Sequence, residues 1–437
     1  MNRARAREWA PVGLAFACLV LLPIGRLVEI PVIAMALCGA WLLLTRRVGL
    51  LRDPALRLFA LVFLLAWVPM LLSLPDALNP AKTLEVVINH LRFLLGGIFL
   101  VLALRGATAH ARLLRLCAWL MMLWLADAVY QYVVGVDVFG YEAWPGRLGA
   151  MFGPGNSKFG LTLATLSPLL WEYLRRNAPR WLLAAVVATT LAVIVLGGAR
   201  SAWVLAAAIV ASYAALAWIR AGRVPPRVFG AAALAVLVVC AGAYHFSGTV
   251  SRGIDDAFAG LTGRAQATSN SVAHRFVIWR AAWRSIQDNP VNGVGARGFR
   301  YGYTTYTDAD DPFLRMDPPQ VATHTHQLLI EVTAETGVIG LAGLLAYLYV
   351  LARAGARSPR DAQHRMLPYA IALAGAYFPI NSHLALYSAY WSQILWWLIA
   401  LYCAAAARSP CPPVPAVSGG SHVRRGSGCS AGRRGPV

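Results

Sequence analysis

His324-Thr325-His326-Gln327-Leu328-Leu329-Ile330-Glu331-Val332-Thr333-Ala334-Glu335-Thr336-Gly337 sets the reading of this chain: two histidines open an apolar helix. Eleven residues separate His326 from Gly337, which at about 100° per residue is three turns plus roughly 20°, so the spacing puts imidazole and glycine on one helix face. His324 lacks that relation. An ionisable group at the mouth of a membrane helix costs free energy and marks a site.

The rest of the chain supplies the membrane. With 58% hydrophobic and 13% charged residues it is far more apolar than a soluble domain. Apolar runs start near Trp9, Val28, Leu58, Leu84, Leu114, Phe159, Trp181, Ala202, Val228, Gln327, Leu367 and Leu384. The expected fold class is therefore an all-α polytopic membrane protein with about 12 transmembrane helices. The net charge of +20 is almost all arginine, with Lys82 and Lys158 the lysines, and it is spread over short loops. That distribution fits positive-inside topology and argues against nucleic acid as a partner. The cysteines lie in apolar runs or the C-terminal tail, with no zinc spacing and no disulfide framework.

Arginine-rich connections recur around Arg46 to Arg57, Arg105 to Arg115, Arg175 to Arg180, Arg220 to Arg227 and Arg353 to Arg365, and read as cytoplasmic. The alternate connections then face outward, among them the tight turn at Arg200 and one long loop. The expected organisation is transmembrane helices 1–9 over residues 1–245, an extracytoplasmic loop region over 246–326, helices 10–12 over 327–407 and a tail over 408–437. The tail is rich in Ser, Gly, Pro and Arg, cannot bury a core, and reads as disordered and cytoplasmic. The arginine-bearing N-terminus resembles a signal peptide but reads as a retained first helix, cytoplasmic at its start. Val272, Phe276, Trp279 and Trp283 predict an amphipathic helix over 272–287, ended by Asn289-Pro290 and suited to the membrane surface. Gly293-Val294-Gly295-Ala296-Arg297-Gly298 has the letters of a dinucleotide fingerprint but no preceding strand, and is set aside.

Arg200, in Gly197-Gly198-Ala199-Arg200-Ser201, is either a snorkelling arginine on headgroup phosphate or a diphosphate clamp, because a guanidinium offers a fork of donors matched to phosphate oxygens. Arg275 has the same two readings. Arg280 and Arg284 follow on the same helix and serve either substrate or its polar face. Arg147 and Lys158 flank Gly149 to Asn156, and either touch phosphate or anchor at the interface. His326 can take a proton from an attacking hydroxyl near neutral pH, and the outward arginines favour catalysis over packing. Glu331 and Glu335 orient the imidazole, act as bases, or complement the helix dipole. Asp308, Asp310 and Asp311 read first as a solvated acidic turn and second as a divalent-cation site. Asp127 and Arg92, within apolar runs, have an ion pair as their structural reading.

Taken in order, these residues resemble the bacterial O-antigen ligases, a family grouped with O-antigen polymerases and bacterial O-linked oligosaccharyltransferases. The resemblance rests on His324-Thr325-His326-Gln327 together with Glu335-Thr336-Gly337-Val338-Ile339-Gly340-Leu341. It is supported by Arg275 four residues before Trp279, by Asn289-Pro290-Val291-Asn292-Gly293-Val294-Gly295, by Gly198-Ala199-Arg200-Ser201 and by the stretch from Arg147 to Asn156. Gln327 stands where many relatives have asparagine, and Gly155 where the family often has proline. Neither departure removes a reactive group.

The resemblance implies transfer of a glycan from undecaprenyl diphosphate on the periplasmic face of the bacterial inner membrane, with a large periplasmic loop containing short amphipathic helices. A ligase transfers to a sugar hydroxyl of the lipid A-core, a polymerase to another lipid-linked repeat, and an oligosaccharyltransferase to a protein serine or threonine. The ligase is the expected activity, because the chain is compact with no large domain after the last span. His326 is expected as general base, Arg200 and Arg275 as diphosphate stabilisers, and His324, Arg280, Arg147, Lys158 and Glu335 as substrate contacts. One displacement inverts the anomeric carbon, and guanidinium charge at the leaving group makes a metal or cofactor unnecessary. The expected partners are undecaprenyl diphosphate-linked O-antigen, lipid A-core and membrane lipids. A flippase for lipid-linked glycan is the alternative from another class. It should show broken helices paired in related halves, whereas the polar chemistry here gathers at one face.

Overall fold

The computed structural model describes residues 3–45, 52–143, 147–153, 158–221, 270–309, 311–379 and 385–407. These form helices and loops and no strand. The helices are α1 (Arg3–Val20), α2 (Glu29–Leu44), α3 (Pro54–Leu72), α4 (Pro80–Ala103), α5 (Ala107–Val134), α6 (Lys158–Asn177), α7 (Arg180–Leu196), α8 (Arg200–Ala221), α9 (Asn270–Asp288), α10 (Phe299–Tyr306), α11 (Leu328–Arg357), α12 (Arg360–Ala376) and α13 (Ala389–Ala406). Every expected apolar run falls on one of them except that near Val228, which lies outside the described residues, as do the expected tail and the first part of the long loop.

Local chemistry starts the helices where they start. Asp53 accepts hydrogen bonds from Ala55 N and Leu56 N ahead of α3, and Asn79 accepts from Lys82 N ahead of α4. Each cap is followed by proline, whose fixed φ and missing N–H suit a first helical position.

Seven of the described helical stretches are long and apolar enough to cross a membrane: Gly25–Leu44, Pro54–Leu72, Pro80–Ala103, Ala107–Val134, Arg200–Ile219, Leu328–Arg357 and Ala389–Ala406. Glu8–Val20 and Arg180–Leu196 are shorter apolar stretches. Helices α6 and α12 are more polar for a physical reason. α6 packs among α5, α7, α8 and α12, so its surface meets protein, and it buries even Glu172 against Arg175 and Arg176.

The core gathers around α13, which is buried over most of its length and packs on α12, α4 and α3. The Trp396 ring lies 5.0 Å from that of Phe63, and Trp397 Nε1 donates to Ala15 O at 3.0 Å in α1. One expectation is corrected here. Arg92 pairs with Glu29 at 3.1 Å, not with Asp127, which instead accepts from Val138 N at 2.9 Å and so ends α5 on its own following loop.

Helices α9 and α10 have a small core of their own, in which Ile278, Ala281, Ala282, Val294, Phe299 and Tyr303 meet Ala334 of α11. The expected amphipathic helix is present as α9, but its buried stripe is Ile278, Ala281, Ala282 and Ile286. Phe276 and Trp283 point outward, exposed on the opposite face. Small residues lie inside because α9 packs closely on α11, which leaves the large aromatics for the outer face.

Candidate active site

The site is built on an interruption. Gln327 caps α11, its Oε1 accepting from Ile330 N at 2.6 Å while its Nε2 donates to Pro379 O at 3.0 Å. Asparagine offers the same groups on a shorter arm, so this position is a cap whichever amide occupies it. The helix therefore begins at Leu328, and His326 precedes it with φ 54°. That is the left-handed region, which costs a residue bearing a side chain about 1–3 kcal/mol and persists only where its surroundings impose it.

The far end of the stretch is interrupted as well. Gly337 has φ 63° and ψ −166° inside α11. The segment Pro290–Val294 fills the break: Val338 N donates to Pro290 O at 2.9 Å, and Val294 N donates to Ala334 O at 2.9 Å. A Cβ at Gly337 would overlap Val291 O, and one at Gly293 would come within 2.5 Å of Thr336 N. The shared helix face expected for His326 and Gly337 is thus not formed. The spacing instead measures one short helical segment, with the histidine loop at one end and a docking break at the other.

Three contacts hold the histidine loop. Trp279 Nε1 on α9 donates to Thr325 O at 2.9 Å, Arg300 Nη2 on α10 donates to Thr323 O at 3.1 Å, and the buried Thr325 hydroxyl donates to Gln327 O at 2.9 Å. The rings of His324 and His326 lie 3.8 Å apart between centroids.

Arg275 is one turn before Trp279 on α9, so it projects beside the loop that Trp279 holds. Its guanidinium is half-buried, and its pKa is lowered first by that burial and then by the charge of Arg200. Arg275 and Arg200, 75 positions apart in the chain, are therefore within electrostatic reach of one another. Arg200 begins α8 directly after the turn at Gly198, whose φ is 66°.

Arg147 and Lys158 sit around that same turn. Leu148 N donates to Leu196 O at 3.4 Å, which ties the exposed Arg147 to the end of α7. Lys158 starts α6 and lies 4.6 Å over the Tyr390 ring, while the Tyr390 hydroxyl is 2.7 Å from Thr162 Oγ1.

Arg280 is placed differently. Its Nη1 meets Asp308 Oδ2 at 3.0 Å, and Arg284 Nη2 meets Asp308 Oδ1 at 2.7 Å, so both arginines clamp the α9 and α10 segments together. Asp311 is buried, accepts from Phe313 N at 2.8 Å and pairs with Thr307. Asp308 is thus used on α9 and Asp311 on its own loop, and Asp310 lies outside the described residues. Among the described residues, no three His, Cys, Asp or Glu side chains converge as a metal site.

Glu335 is fully buried, and its Oε2 accepts from Arg297 N at 2.6 Å. Arg297 and Arg300 carry no local signature that singles them out among the loop arginines.

Residues 161–345 match the family model described as O-antigen ligase, a segment that holds Arg200, Arg275, His326, Glu335 and Gly337 and leaves Arg147 and Lys158 just outside. No curated protein matches the chain. The helical segments that carry the two arginines and the histidine loop lie within this match, in a chain with several helices long and apolar enough to cross a membrane.

Proposed function

We propose that this protein is an O-antigen ligase that moves O-antigen glycan from undecaprenyl diphosphate to a sugar hydroxyl of the lipid A-core, at the periplasmic face of the bacterial inner membrane. The observation that carries the reading is that Arg275, within electrostatic reach of Arg200, stands one turn before Trp279, whose indole holds the histidine loop. A diphosphate held by the two guanidiniums would lie with its sugar toward His326. His326 takes the proton of the acceptor hydroxyl as that oxygen bonds the anomeric carbon, and the carbon–oxygen bond to the diphosphate breaks with its electron pair leaving on phosphate. This single displacement inverts the anomeric centre. Positive charge fixed where negative charge develops does the work a cation would otherwise do, so the reaction is metal-independent. His324, Arg147 and Lys158 line the approaches. The topology that serves this chemistry has about twelve spans, both termini in the cytoplasm and the 246–326 region outside.

The test is transfer by purified protein in detergent with EDTA, given undecaprenyl diphosphate-linked glycan and lipid A-core, comparing the intact chain with His326→Ala. Product from the first and none from the second supports the reading. Dependence on added magnesium or manganese would overturn metal independence. Longer lipid-linked chains, or glycosylated protein, in place of ligated core would move the activity to the polymerase or protein-transferase branch.

A further inference from the structure

We propose that Glu335 is a positioning residue for the histidine loop, acting through Arg297 and Arg300 and not on substrate. This rests on the reading of His326 as the base. Glu335 is fully buried in α11 and has no surface to offer a sugar or a diphosphate. Its Oε2 accepts from Arg297 N at 2.6 Å, and Arg297 has φ 66°. A non-glycine residue holds that conformation only when its neighbours over-determine it, and the hydrogen bond to a buried carboxylate is such a constraint.

The constrained turn leads straight into α10. There Arg300 donates from Nη2 to Thr323 O at 3.1 Å, and Thr323 Oγ1 lies 3.1 Å from His324 Nδ1. His324 in turn packs on His326, with ring centroids 3.8 Å apart. A path therefore runs from Glu335 to Arg297, along the backbone to Arg300, and through Thr323 to the histidine pair.

Charge runs along the same route. Glu331, one turn before Glu335, is also fully buried. Arg300 is influenced by both carboxylates and by Arg297. The two carboxylates and the two arginines thus form one interacting cluster beside the histidine loop. In a low-dielectric setting such a network is worth more than its separate contacts, and removing one member loosens the rest.

The experiment uses the full-length protein in detergent and compares Glu335→Ala, Glu335→Gln, Arg300→Ala and the Glu335→Ala/Arg300→Ala double variant. Glutamine keeps a carbonyl oxygen for Arg297 N. Two readouts are taken: transfer kinetics, and the rate at which diethyl pyrocarbonate modifies His324 and His326 without substrate, read by mass spectrometry. The expected result for Glu335→Ala is a fall of about tenfold or more in kcat with donor KM within about twofold, largely recovered in Glu335→Gln. The double variant should be no worse than the poorer single, because the two act through one path. Histidine modification should quicken in both alanine singles. Losses that multiply in the double variant, an effect on KM alone, or a glutamine variant as poor as alanine would overturn the proposal. Should Glu335→Ala fail to fold, Arg300→Ala still decides, since histidine modification at the wild-type rate in that variant sinks it. Modification needs no glycan, so an intact protein that transfers nothing defeats the proposed function while this readout continues to judge the positioning role.

Discussion

Trp279 Nε1 donates to Thr325 O at 2.9 Å, and Arg275 lies one turn earlier on the same helix. One helix thereby holds the histidine loop and carries a guanidinium toward it. Trp279→Phe keeps an aromatic ring but leaves the carbonyl of the buried Thr325 unsatisfied, a cost of about 1–3 kcal/mol. Initial rates in detergent should show kcat reduced about tenfold with the protein still folded. An unchanged kcat would remove the indole from the working site.

Gly337→Ala distinguishes an unbroken helix from the one observed. In a continuous helix, alanine would stabilise by up to about 1 kcal/mol. At φ 63° and against Val291 O it must strain the backbone and displace the 290–294 segment. The expected outcome is a lowered midpoint of thermal unfolding and loss of transfer. A raised midpoint would mean that the helix runs straight through.

That sign change shows which parts of the molecule were legible in the chain and which were not. Apolar runs near spanning length are local signals, and the runs from Trp9 to Leu384 fall on helices wherever the structure describes them. The break at Gly337 is not local. It exists because Pro290 and Val291, more than forty positions earlier, replace hydrogen bonds that the helix gives up. Periodicity assumes an unbroken helix, and so it read the His326–Gly337 spacing as a shared face. Phosphate chemistry marked Arg200 and Arg275 without reference to contacts, and the fold sets them within electrostatic reach of one another. The same chemistry could not separate Arg280, which is used on Asp308, from arginines that face the site. Nor could it find Arg297 and Arg300, whose importance comes only from what Glu335 and Thr323 do to them.

Arg280→Ala should therefore change transfer less than about twofold, because an exposed ion pair contributes little and Arg284 still holds Asp308. The Asp308 carboxyl is held below its ordinary range, first by the hydrogen bond from Arg284 and then by that residue's charge and by Arg280. A depressed folded pKa gives stability that is present above the unfolded value, about 3.9, and is lost as pH falls through the folded value. Asp308→Asn should thus lower the unfolding midpoint at pH 7, with the difference from wild type closing as pH falls below the unfolded value and through the depressed folded one. A difference that persists in acid would mean the carboxylate charge is not what closes this clamp.

The Arg200–Arg275 pair yields the most direct check on the diphosphate reading, because two neighbouring positive charges carry opposite consequences for stability and for transfer. Each guanidinium disfavours the other, and the charge of Arg200 is the second cause, after burial, of the lowered pKa of Arg275. Replacing Arg275 with glutamine removes that repulsion, and the substrate-free protein should unfold no earlier than wild type, or slightly later. Transfer should nevertheless fall about a hundredfold, the scale of losing one fixed donor to a developing oxyanion. Inorganic diphosphate should raise the unfolding midpoint of wild type by binding between the two arginines, following the usual mass-action dependence on ligand concentration. In Arg275→Gln and in Arg200→Gln that increase should disappear. Equal stabilisation of all three proteins would place the anion elsewhere and leave the pair without its proposed role. Loss of the increase in the Arg275 variant alone would make Arg275 the anchor and Arg200 a neighbour that tunes it.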